Sequence, residues 1–222
     1  MIYLEMITER LAAIMELGGP VVMLLLGLSV VSLAVVLWKF WQLAYLGVGR
    51  HRQIAHALDL WDLGDRAGAR AALQMSRSRL APVLSRAASG SGSHGRAVAE
   101  AGAVLDRMER GFRILDSIAQ IAPLLGLFGT VLGMIGAFQA MQEAGANVDP
   151  STLAGGIWVA LLTTAAGLAV AMPTSLMLTF FESRVARARG VAETAIETIF
   201  APSQPTTQAA PAPGETLHSD AA

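Results

Sequence analysis

Four histidines, His51, His56, His94 and His218, are the side chains best able to bind a metal or move a proton near neutral pH. They do not pair with carboxylates at metal-ligand spacing. Cysteine is absent, which excludes disulfides, thiolate metal sites and a cysteine nucleophile. No nucleophile-elbow serine and no HExxH pattern is present. Gly90-Ser91-Gly92-Ser93-His94-Gly95 satisfies GxGxxG literally, but no strand precedes it and no βαβ unit surrounds it, so it reads as a flexible turn. An enzyme, a metal centre or a cofactor site therefore has no support in the residues. What remain are hydroxyls in apolar stretches, Thr130, Thr163 and Thr164 among them. Threonine does not titrate near neutral pH, so the chemistry open to it is a hydrogen bond to a passing ion, water or carboxylate.

Thr130 and Thr164 stand among small residues. Gly126, Gly129, Gly133 and Gly136 recur at intervals of three, four and three, the spacing of one helical face, and Thr130 shares the stripe of Gly126 and Gly133. A second face carries Ala160, Thr164, Gly167, Ala171 and Ser175, with Thr163 beside it. Such faces let backbones approach closely, as helix association in lipid requires. A threonine there can bond back to its own helix or line a polar lumen, and the pattern alone leaves both open. Pro123 and Pro173 each remove a backbone hydrogen bond within these stretches, leaving the helix prone to kinking.

The elements that position these residues are membrane spans. Of 222 residues, 54% are hydrophobic and only 15% charged, against about 25% in a soluble domain. Runs 17–38, 117–142 and 150–181 contain no Asp, Glu, Lys or Arg. Each exceeds the roughly 20 residues that cross a bilayer core, and each is apolar all round. The expected class is all-α, with three transmembrane helices, a helical cytoplasmic loop and a cytoplasmic extension of the third helix. The expected segments are an extracytoplasmic N-terminus (1–16), first span (17–46), cytoplasmic helical region (47–116) and second span (117–142). An extracytoplasmic loop (143–152), third span (153–181), helical extension (182–200) and disordered tail (201–222) follow. Region 47–113 carries eleven arginines against six acids, whereas 143–149 has two acids and no Lys or Arg. The positive-inside rule thus places the C-terminus inside and the N-terminus outside. Lys39, with Trp38, Trp41 and Tyr45, reads as an interfacial anchor, and a helix from about Arg96 is expected to run straight into the second span.

Residues 121–134, Ile-Ala-Pro-Leu-Leu-Gly-Leu-Phe-Gly-Thr-Val-Leu-Gly-Met, resemble the second-helix signature of the MotA/TolQ/ExbB proton-channel family. Residues 155–173, Gly-Gly-Ile-Trp-Val-Ala-Leu-Leu-Thr-Thr-Ala-Ala-Gly-Leu-Ala-Val-Ala-Met-Pro, resemble its third-helix signature, and Gly18-Gly19-Pro20 resembles the ExbB-type entry to the first span. The resemblance is to the ExbB/TolQ branch, since MotA has four spans and a larger cytoplasmic domain. It implies a homo-pentamer in the bacterial inner membrane around helices of an ExbD/TolR-like single-span partner, with no nucleic acid involved. Proton flow through that assembly would drive work on the envelope. By the same resemblance Thr130 and Thr164 are pore-facing, and Val159 holds the place of a glutamate typical of ExbB and TolQ. The three runs lack an ionisable group, so the titrating carboxylate is expected from the partner's intramembrane Asp. A non-conducting scaffold and a subunit of a larger transporter are the alternatives.

Overall fold

The computed structural model describes residues 2–45, 52–144 and 150–201, and no strand occurs among them. The connection at 145–149 and the tail from 202 onward lie outside the described residues. Seven helices follow in order: α1 (Ile2–Tyr45), α2 (Arg52–Asp62), α3 (Arg66–Met75), α4 (Ala81–Ala88), α5 (His94–Glu109), α6 (Phe112–Ala144) and α7 (Pro150–Phe200). Three stretches, Gly19–Leu43, Phe112–Ala144 and one within Leu153–Phe200, are long and apolar enough to cross a membrane. The protein is all-α with three membrane-spanning helices.

Local chemistry sets the element boundaries. Gly19 breaks α1 with φ 63° and ψ −168°, a conformation that costs a residue with a Cβ but not glycine. Pro20 then opens the straight part of the span, where its missing N–H does no harm. Gly64, at φ 85°, turns the chain between α2 and α3, and the Asp65 side chain accepts from the Gly68 N–H at 2.8 Å to cap α3. The glycine-serine stretch before α5 is a turn, with Gly90 at φ 75° and Ser93 capping the helix.

Beyond the third span α7 continues unbroken and acts as a spine. Its residues Phe181, Val185, Ala188, Ala192, Ala195 and Ile199 are buried at helical spacing. Ile54 and Trp61 of α2, Leu73 of α3, Leu84 of α4 and Leu105 of α5 close over that stripe in one core. Phe112 stacks on Phe181 with ring centroids 6.3 Å apart, joining this core to the foot of the membrane helices.

Two expectations are corrected at that foot. The helix from α5 does not run straight into the second span: it stops at Glu109, Gly111 takes φ 91°, and α6 starts at Phe112. A Cβ on Gly111 would stand 3.1 Å from Lys39 Cε and 3.2 Å from the Trp38 ring, so the break lets the chain pass close to α1. Nor does Lys39 reach outward as an anchor. It is fully buried, and its ammonium donates to the Met108 carbonyl at 2.9 Å and to Gln42 Oε1 at 2.7 Å. The rings of Trp38 and Phe112 lie about 5 Å from it. The break orphans the last carbonyls of α5, and a cation at a helix C-terminus satisfies them. Trp38 and Trp41 remain exposed on the outer surface.

Lys39→Met should therefore free the α5–α6 joint, at a cost of about 1.5–3 kcal/mol for the lost charged hydrogen bond. Amide hydrogen exchange should quicken at residues 109–112, and unchanged protection there would show that Lys39 is not what holds the joint.

Candidate functional site

The site is built on the contact between α6 and α7. Gly167 meets Ala122, Gly126 meets Thr163 and Thr164, Gly133 meets Ala160, and Gly156 meets Ala137. One series of numbers rises as the other falls, so the helices run antiparallel. A Cβ on Gly167 would lie 2.6 Å from the Ala122 carbonyl oxygen, and one on Gly126 would lie 2.9 Å from that of Thr163. At Gly129 it would come within 2.8 Å of the Thr163 side chain. Gly136, which shares the sequence stripe, has nothing within 4 Å and takes no part in this seam.

Polar groups along the seam are satisfied within the protein. Thr163 is buried, and its hydroxyl lies 2.7 Å from the Ala160 carbonyl and 3.3 Å from that of Gly126. The Thr164 hydroxyl, half-buried, reaches the Gly126 carbonyl only at 3.4 Å. The Thr130 hydroxyl donates back to Leu127 at 2.6 Å. Its proton is committed there, and its oxygen lone pairs remain open to accept.

Helical register places the two threonines relative to each other. Each stands roughly 70° round its helix from the middle of the seam, in the same rotational sense. Because the helices are antiparallel, the same sense brings both to one flank of the pair. The other flank is taken by α1, whose Val21 and Leu25 pack with Ala122, Leu125, Ala166 and Val170. Val159 is half-buried, rotated from the seam toward the side opposite Thr164.

The prolines lie apart from each other. Both α6 and α7 continue as helix through them. Pro123 is half-buried, whereas Pro173 is exposed on the α1 flank. It lines a cavity of about 190 Å³ with Ser29, Ser32 and Thr174. Ser32 and Thr174 share a buried hydrogen bond at 2.6 Å that ties α1 to α7. Sequence reading passed over this pair, because two hydroxyls on different helices have no common spacing to reveal them.

On the threonine flank, beyond the apolar part of the spans, lies a larger cavity of about 550 Å³. Asp106, Glu109, Arg110, Arg113, Glu182 and Arg189 line it. Arg189 pairs with Glu109 at 2.8 Å, and that hydrogen bond raises the affinity of the guanidinium for its proton. No group of His, Cys, Asp and Glu suited to a metal occurs among the described residues.

Residues 68–194, from α3 through most of α7, match the sequence pattern of one family. The chain belongs to the MotA/TolQ/ExbB proton channel family. Its similarity lies with the ExbB-like members. It is 34% identical over 173 residues to an ExbB-like biopolymer transport protein of Synechocystis, covering 74% of this chain and 68% of that one. Identity to the biopolymer transport protein exbB1 of Vibrio cholerae is 49% over 63 residues, 28% of each chain. An ExbB homolog of Methanothermobacter thermautotrophicus is 42% identical over 81 residues, 36% of this chain. The chain spans only 28% of the length of each of these last two relatives. This is thus a multi-pass membrane protein of a channel and transport-energising family.

Alanine at Gly126 or Gly167 should force α6 from α7 at a cost of about 1–3 kcal/mol each, as in an overpacked core. Gly136→Ala should cost nothing within the protomer. Unfolding in detergent checks the contrast, and equal stability of all three variants would refute the seam.

Proposed function

We propose that this chain is the channel-scaffold subunit of a motor driven by proton-motive force. It works in the bacterial inner membrane as a homo-pentamer, without enzymatic activity of its own. An ExbD/TolR-like single-span partner supplies the intramembrane Asp that titrates. The observation that carries this reading is the placement of Thr130 and Thr164 on one flank of the glycine seam, away from α1. The arginine-rich helices from α2 to α5 lie in the cytoplasm, and residues 143–152 lie outside.

The exposed α6–α7 flank carries apolar side chains beside its hydroxyls, with Leu127 59% exposed and Leu161 62% exposed, and so suits neighbouring helices. Five copies would turn that flank inward around the partner. There the Thr130 oxygen accepts from a protonated carboxyl or a water, since its own proton is held by Leu127. The weakly held Thr164 proton is free to turn toward an ionised carboxylate. Val159 in place of a glutamate leaves coupling to these hydroxyls and the partner, as in the MotA branch. The short bond from Thr130 to Leu127 also suits a second reading, a scaffold that conducts nothing.

Thr130→Val and Thr164→Val separate the two readings. Valine keeps the shape and deletes the hydroxyl, at about 0.5–1.5 kcal/mol for a neutral hydrogen bond and about 1.5–3 for one to a charged group. Proton flux through the complex with its partner should fall while oligomer yield holds. Normal flux in both variants would leave the scaffold reading. For orientation, a reporter fused at Asn147 should appear outside and one at Gly92 inside; a cytoplasmic signal at Asn147 is incompatible with the three-span topology proposed.

A further inference from the structure

The apolar run of the second span begins at Ser117, but the helix that carries it begins at Phe112, seated on Phe181. Asp116 therefore belongs to the membrane helix, one turn in from its start. It stands on the face of Thr130, about 21 Å and four turns away. Gln120 and Pro123 come between them on that face. The same flank of α7 carries Thr164, then Ser175, then Glu182, again at helical spacing. Asp116, Gln120, Ser175 and Glu182 are all exposed. Among the described residues no ion pair engages Asp116.

This polar line ends at the cavity of about 550 Å³ lined by Glu182, Asp106 and Arg113. The cavity is open and bears charged side chains, so water enters it. The α1 flank has no acidic side chain at this depth: its cavity is lined by Ser29, Ser32, Thr174 and apolar groups. Asp116 stands just outside the uncharged run, at the mouth of the span, where a carboxylate can pass protons between an intramembrane route and water.

Resting on the reading proposed above, we infer that Asp116 is a proton-relay carboxylate at the cytoplasmic end of the path. Water held by Gln120 and Ser175 spans the gap from the threonines. Asp116 takes a proton from that water as a new O–H bond forms, and becomes neutral. It then releases the proton to water in the cavity, so that the carboxylate is restored and no other bond changes.

The test is proton influx into liposomes containing the full complex with its partner, read by an internal pH dye. Asp116→Asn keeps the size and hydrogen bonding but cannot titrate. Flux should drop about a hundredfold or more, the range that a lost proton-transfer group costs. Asp116→Glu should restore most of it, and native mass spectrometry should show the same oligomer throughout. A structural role would be rescued by Asn, so the Asn-against-Glu contrast is decisive. Asp116→Ser serves if the Asn variant fails to assemble, with the same loss expected. Wild-type flux in an assembled Asn or Ser variant overturns the relay while leaving the channel reading intact. Wild-type complex that conducts no more than bare lipid overturns both.

Discussion

The meeting of two backbones at Gly126 and Gly167 is the constraint on which this structure turns. Lipid tails are as apolar as leucine, so no expulsion from solvent drives α6 against α7. What holds them is close van der Waals contact over a long antiparallel seam, together with hydroxyl bonds across it. Both require that no Cβ intervene, and the distances at Gly126, Gly129 and Gly167 leave no room for one. Once the seam is set, every other residue of the two helices is assigned to a flank. One flank receives α1; the other carries Thr130 and Thr164.

Buried polar groups in the described spans follow a second rule, that each has a partner. Thr163 answers to two carbonyls, and Ser32 to Thr174. Lys39 is the extreme case, a buried cation whose partners are a carbonyl, an amide and two ring faces. It joins α1 to the break between α5 and α6. Phe181, Phe112 and Lys39 form a succession of direct contacts from α7 to the end of α5.

The two flanks differ in chemistry as well as position. That of α1 is closed by apolar packing and one hydroxyl pair. That of the threonines is exposed, and it is polar at intervals down to the charged cavity at its foot. A single helix pair presents both flanks, because a 3.6-residue repeat sends neighbouring positions to different sides.

The sequence by itself determined the class. Three long uncharged runs admit only membrane helices, and the glycine and threonine signatures of 121–134 and 155–173 pointed to the family that residues 68–194 match. These features are local, readable from spacing and composition within one segment. Gly136 shows where that reading ends: it continues the intervals of Gly126, Gly129 and Gly133, yet a Cβ there would meet nothing within 4 Å. Tertiary structure alone decided the rest. Lys39 sits at the end of a span, the place of an interfacial anchor, but turns inward because a distant break in the chain offers it the orphaned carbonyl of Met108. Ser32 meets Thr174 for a like reason. Which groups face each other depends on the rotation and register of whole helices, and that is set by close packing rather than by any single segment.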